Sequence, residues 1–220
     1  MYAAHSDDFR RSQTVAYKPA PECLSRKLCA GQHLFYESDR ALSVYEVVSG
    51  VLRMTRVQKD GRRHVITFGF PGDVVGLPSE GMHTTECEAA IDTEVIAHRI
   101  GRLDRPDRDP KLHAFLMAAA LDDIRMLQDH FLMLGRRLAD EKVAAFLKLL
   151  LDRIGQPHGA YRLIRLPMNR SDIADYLGLT PETISRSISR LRSDKIIALK
   201  DPLTIVVRDP AGLRLLADGE

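Results

Sequence analysis

The apolar positions change period along the chain, and each change marks a new kind of element. From Gly31 to about Ile100 they come in short alternating runs: Val44-Tyr-Glu-Val-Val, Val51-Leu-Arg-Met-Thr-Arg-Val, Val65-Ile-Thr-Phe, Cys87-Glu-Ala-Ala-Ile and Glu94-Val-Ile-Ala-His. A period of two places alternate side chains on one face, so these runs predict strands. Asp60-Gly61 separates two of them with a strong hairpin signal, and Pro71-Gly72-Asp73 marks another turn. Many short strands with regular turns predict a β-roll of jelly-roll type. Residues 1–20 carry no period and are expected to form a flexible arm.

From Pro110 the period becomes helical. Leu116, Ala120, Ile124, Leu127, Phe131, Leu134 and Leu138 recur at spacings of three and four, a heptad-like seam that predicts a helix lying along another helix. Such a seam can cover its own domain or a second copy of the chain. Gly135 within it either allows two helices to approach closely or bends the helix. A further helix is predicted from Asp140 to about Arg153, then a turn at Gly155-Gln-Pro-His-Gly and a short strand at Leu163-Ile-Arg-Leu.

The next stretch, NRSDIADYLGLTPETISRSISRLRSDK from Asn169 to Lys195, predicts two short helices around a tight turn. Ser171 is a candidate N-cap, and Ile173, Ala174 and Leu177 form an apolar stripe. Gly178 stops the first helix because glycine enters the left-handed region cheaply. Leu179 plugs the turn, Thr180 caps the second helix and Pro181 suits its first position. Ile184, Ile188 and Leu191 would bury the second helix, leaving Glu182, Ser185, Arg186 and Arg190 outward. This is the pattern of a helix-turn-helix, whose second helix enters the DNA major groove. Arg186 can donate two hydrogen bonds to guanine O6 and N7, Glu182 can accept from cytosine N4, and Ser185 can reach a base or a phosphate. Ile196-Ile-Ala-Leu and Thr204-Ile-Val-Val-Arg, with Asp201-Pro202 between them, predict the hairpin wing of a winged helix, and residues 211–220 a terminal helix. Reading of palindromic DNA needs two copies of the chain, which favours the seam as a dimerisation helix.

Composition narrows the class. The 220 residues are 45% hydrophobic and 28% charged, the balance of an ordinary globular protein. No apolar run approaches the roughly 20 residues that span a bilayer. Charges stand where a signal peptide would have its apolar core, so the expected location is the cytoplasm, with no membrane partner. A net charge of +2 says little, but from Arg165 to Lys200 basic residues outnumber acidic ones seven to four. Three cysteines, Cys23, Cys29 and Cys87, do not make a secreted disulfide framework. No P-loop, nucleophile elbow, HExxH or paired-carboxylate signature is present, so no catalytic residue is assigned. A cupin-like enzyme would need a His-x-His pair on a strand, and the chain has none.

The segment LPMNRSDIADYLGLTPETISRSISRLRSDKIIAL resembles the DNA-binding domain of the Crp/Fnr regulators, especially the FixK and Fnr branch. Glu182-x-x-Ser185-Arg186 looks like that branch's base-reading triplet. Gly50-Val-Leu-Arg-Met, Asp60-Gly-Arg-Arg and Phe70-Pro-Gly-Asp-Val-Val-Gly extend the resemblance over the N-terminal half. It implies an α+β fold: a flexible arm (1–20), a cyclic-nucleotide-binding-like β-roll (21–108), a dimerisation helix (109–138) and a winged helix-turn-helix (139–220). It also implies a homodimer on an inverted repeat of TTGAT-like half-sites, with RNA polymerase as a partner. Most such regulators activate genes of low-oxygen or nitrogen metabolism, including nitrogen fixation. On this reading Glu182, Ser185 and Arg186 touch bases, while Arg170, Thr180, Thr183, Arg190 and Lys195 touch or approach phosphates.

Cofactors are not implied by the residues present. A cyclic nucleotide in the Crp branch needs an arginine in the stretch that here reads Gly72 to Thr85, where none stands and Glu80 would repel a phosphate. Cys23 and Cys29 have the spacing of the Fnr cluster run, but Ala20 replaces its preceding cysteine, so an all-thiolate cluster is incomplete. His33, His64, His83 and His98 form no recognisable haem pair, and no metal site is assigned. A ligand-gated regulator using haem, a metal or a gas remains the alternative.

Overall fold

A computed structural model describes residues 25–102 and 109–219; the expected arm and Cys23 lie outside them. The first part is two four-stranded antiparallel sheets. One has the order β1 (Ser25–Leu28), β8 (Thr93–Arg99), β3 (Ser43–Ser49), β6 (Val74–Val75). The other runs β2 (His33–Phe35), β7 (Glu86–Ala89), β4 (Leu52–Val57), β5 (Arg63–Gly69). Alternate residues of both sheets meet between the layers. Leu28, Phe35, Val47, Leu52, Met54, Cys87 and Val95 make this core. The β3–β4 turn works only with glycine: Gly50 has φ +83°, and a Cβ there would lie 2.3 Å from the Asp92 carbonyl oxygen.

Helix α1 (Pro110–Leu134) starts with the Asp109 carboxylate accepting from the Leu112 N–H at 3.0 Å. Its first turns bury Leu112, Phe115 and Leu116 against Val44 and Val74 of the roll. Leu116 is 2% exposed, so its surface is already spent on its own domain. The seam is also not one helix to Leu138. The helix ends at Leu134, Gly135 takes a right-handed φ of −72°, and a new helix α2 (Ala139–Ile154) begins after Leu138. Gly135 therefore stands at a break between two helices.

The second part contains α2, α3 (Arg170–Leu177), α4 (Pro181–Ser193), α5 (Pro210–Asp218) and a sheet ordered β11 (Ile197–Asp201), β12 (Thr204–Val207), β10 (Tyr161–Arg165), β9 (Gln156–His158). The stretch read as a turn at 155–159 is in part the strand β9, which pairs Gln156 with Leu163 and His158 with Tyr161. The core of this part does not stop at its own elements. Phe146, Leu150, Ile173, Tyr176, Ile184 and Leu191 form one apolar cluster with Val51, Val65, Phe68 and Phe70 of the roll. Among the described residues no helix is long and apolar enough to cross a membrane.

Candidate nucleic-acid interface

Helix α3 is capped one turn-entry earlier than Ser171. The Asn169 side-chain oxygen accepts from the Asp172 N–H at 2.9 Å, and Ser171 sits exposed inside the first turn. Both residues are good caps, and the exit of β10 delivers Asn169 to the position. Gly178 is left-handed at φ +62°, and its N–H and that of Leu179 close on the Ala174 carbonyl. Thr180 then accepts from the Thr183 N–H at 3.2 Å, with Pro181 at the first helical position. Ile184, Ser187, Ile188 and Leu191 are buried beneath α4.

Glu182, Ser185 and Arg186 are all exposed on the opposite face. Ser189 joins them at i+7 from Glu182, a position the helical period offered but base chemistry did not single out. The Ser185 hydroxyl donates to the Pro181 carbonyl at 2.9 Å, which leaves its oxygen as an acceptor toward solvent. The Glu182 carboxyl is held below the ordinary glutamate range by its own backbone N–H, then by Thr180, and least by the field of Arg186. An ionised Glu182 is an acceptor only, the form that a cytosine amino group requires.

The residues expected near phosphates differ in freedom. Arg190 is well exposed yet pairs with Asp140 of α2 at 3.2 Å. Arg170 is half-buried: it donates to the Pro202 carbonyl at 3.1 Å, and its Nη1 is buried without a hydrogen-bond partner among the described residues. Burial lowers its pKa. Arg170 thus braces the wing loop against α3. The Thr180 and Thr183 hydroxyls lie 3.0 Å apart at the start of α4, and Lys195 is exposed beyond its end with φ +61°. Together they surround the base-facing stripe.

On α1 the apolar face past the roll is open. Ile124, Leu127, Phe131 and Leu134 are exposed in the single chain, and Ala120 is partly so, while Leu138 is exposed beyond the end of α1, just before α2. Met117, Leu121 and Leu132, absent from the seven-residue seam, are exposed beside them. Ile124, Leu127, Gln128, Phe131 and Leu132 frame an apolar groove. Four of these stand at i, i+3, i+4 and i+7, the outline of a hole that receives a side chain from a second helix.

The roll's interior does not fit a cyclic nucleotide. The Gly72–Thr85 stretch holds no lysine or arginine for the phosphate. Its inward side is filled by His83, stacked on Phe35 with centroids 3.7 Å apart, and a Cβ at Gly76 would meet both rings. Cys29 is exposed and Cys87 fully buried, where burial pushes its thiol pKa up. His98 is buried against Glu46 at 3.0 Å. Among the described residues, no three His, Cys, Asp or Glu side chains gather as a metal set.

Comparison with known proteins gives two domain matches. The Crp-like helix-turn-helix domain matches residues 141–216, and the cyclic nucleotide-binding domain matches residues 25–104. The chain is 36% identical to the nitrogen fixation regulation protein FixK of Rhizobium meliloti, over 99% of this chain and 100% of that one. It is 32% identical to the transcriptional activator protein FnrL of Cereibacter sphaeroides, over 86% and 78% of the two chains. The solved structure of FixK2 from Bradyrhizobium japonicum is similar with a TM-score of 0.80 and 36% identity, covering 88% of this chain and 96% of that one.

Proposed function

The chain belongs to the Crp/Fnr family of transcription regulators, in its FixK/Fnr branch, and from that premise we propose that two copies read a palindromic DNA site through Glu182, Ser185 and Arg186. The protein is a DNA-binding regulator and not an enzyme. The half-site is TTGAT-like, with Arg186 on its guanine and Glu182 accepting from the amino group of the cytosine paired with it. Arg170, Thr180, Thr183, Arg190 and Lys195 set the register on phosphates. Residues 109–138 join the copies, with the interface running from Ala120 to Leu138 and gaining Met117, Leu121 and Leu132. The boundaries read for the roll are 21–108, of which 25–102 are described, and those for the reading domain 139–220, of which 139–219 are described. The protein acts in the cytoplasm as an activator that engages RNA polymerase at genes of low-oxygen or nitrogen metabolism; the relatives' names, a nitrogen fixation regulation protein and a transcriptional activator protein, support the nitrogen context and the activation.

The observation that carries this reading is the exposed stripe of α4, where an ionised acceptor, a hydroxyl acceptor and an arginine lie within one turn. The test is a binding selection with purified protein on randomised half-sites. Arg186→Ala should lose about 1–3 kcal/mol per half-site and relax the choice at one base pair while the others keep theirs. An unchanged consensus would sink the assignment.

A further inference from the structure

Asp172 is a charged residue in the first turn of α3, yet it is only 1% exposed. The reading of α4 makes no use of it. Its carboxylate is held by two arginines of the roll: Arg63 donates to Oδ1 at 2.7 Å, and Arg53 pairs with Oδ2. Arg53 is in turn paired with Glu88 on the adjacent strand, and Arg63 lies 3.5 Å from Asp175, one helical turn along α3. Arg53 sits on β4 opposite Phe68, and Arg63 on β5 opposite Val57. The two cations therefore leave the hairpin about four residues, or about 13 Å, apart along its axis and converge on one carboxylate.

That geometry does something apolar packing does not. Phe68 and Tyr176 also join the roll to α3, at a centroid separation of 5.3 Å. Burial of this kind is non-directional and sets no register by itself. A carboxylate held from both ends of a hairpin cannot slide along that hairpin without breaking one charge-assisted bond. Helix α4 moves with α3, because Ile173, Leu177, Ile184 and Ile188 share one core. Helix α1 is fixed to the same roll by Leu112, Phe115 and Leu116. Helix α1 also meets α3 directly, where His130 stacks on Tyr176 with centroids 3.8 Å apart and donates to its carbonyl at 2.8 Å. The ion cluster is the second link, the one that ties α3 to the roll on which α1 is seated.

We propose that Asp172, Arg53 and Arg63 are positioning residues for DNA binding, which set the pose of α4 relative to α1 and so the spacing of the two half-sites the dimer accepts. This rests on the palindrome reading above. The need is geometric: half-sites lie about 34 Å apart, so each reading helix stands roughly 17 Å from the two-fold axis, and a 5° error in its pose displaces it by about 1.5 Å. That is enough to misplace a bidentate contact.

The test uses the full chain and three sets of DNA: the palindrome, the same palindrome with its centre lengthened or shortened by one or two base pairs, and a single half-site. Wild-type protein should show one sharp spacing optimum. Asp172→Asn and Arg63→Gln should weaken the optimal palindrome by about tenfold or more and flatten the preference between spacings, as loss of simultaneous engagement requires. Half-site affinity should stay within about twofold. Arg63→Lys, which keeps the charge on a partly exposed side chain, should keep the optimum. If Asp172→Asn does not fold, Arg63→Gln decides alone. Wild-type spacing preference in a folded Arg63→Gln overturns the proposal, and so does an equal loss on half-site and palindrome. A wild-type protein indifferent to spacing overturns the palindrome reading itself, and this proposal with it.

Discussion

Phe131→Ala should separate the two copies. Phe131 is 77% exposed on α1, the most exposed of the large apolar residues described, and it frames the groove with Ile124, Leu127 and Leu132. A phenylalanine presents about 200 Å², so docking a second helix would remove roughly 150 Å² of this side chain from water. At about 25 cal/mol per Å² that is about 4 kcal/mol, and alanine would retain about 1 kcal/mol of it. Two copies make the loss about 6 kcal/mol per dimer, an upper bound near 10⁴-fold in the dissociation constant. Buried area does not convert fully into affinity, because ordering side chains opposes it. Half the figure still gives about 100-fold. Sedimentation across nanomolar to micromolar concentrations reads this directly, and thermal unfolding should be little changed at concentrations where both proteins are monomeric, since the side chain touches little of its own chain. A dissociation constant within tenfold of wild type would refute the assignment of this face to the dimer.

Three further outcomes follow from the geometry. Arg190→Ala should weaken all DNA sequences alike and reduce the log–log salt slope by roughly one unit per protomer; an unaltered slope would mean Arg190 serves only Asp140. His83 and His130 have pKa values lowered by burial, so each is more basic in the unfolded chain; their contribution to stability is full above the unfolded value of about 6.5 and is lost as pH falls through the folded values. His130→Gln, which can still donate to the Tyr176 carbonyl, should therefore lose less melting temperature than wild type between pH 7 and pH 5, and parallel curves would exclude His130. Iodoacetamide on native protein should label exposed Cys29 and spare Cys87 until denaturant is added; early labelling of Cys87, read by peptide mass, would contradict its burial and raised pKa.

The parts of this fold that were legible from sequence are those in which local rules decide. Period two located β3, β4, β5, β7 and β8, and Gly178 with Thr180-Pro181 located the turn and the cap of α4. Strands with too few buried residues to show a period did not announce themselves: β1 buries only Leu28, β6 has two residues, and β9 is exposed throughout and contains Pro157. The seam on α1 was visible, but period alone cannot say what covers each position. Leu116 turned to the roll while Phe131 did not. Competing caps were equally opaque, since Asn169 and Ser171 are both competent and only the incoming strand chooses. Nothing in the local sequence distinguishes Asp172 from a solvated charge in a short helix. Its partners lie on another domain, Arg63 109 residues away, and no local pattern reports such a pair.

The core shared by the two parts also has a consequence for the order in which the protein is made. The roll is complete once residue 102 has been synthesised, but Phe68 and Phe70 then lack the side chains of α2 and α3 that share their cluster. Their cover, from Phe146 to Tyr176, arrives only after some 75 more residues have been added, counting from 103 to 177. At about 5–20 residues per second the patch stays bare for roughly 4–15 s on every ribosome. Chains halted near residue 130 should therefore bind a hydrophobic dye or a nascent-chain chaperone more strongly than chains halted near the end. Equal binding would mean that the roll covers these rings by itself until the reading domain arrives.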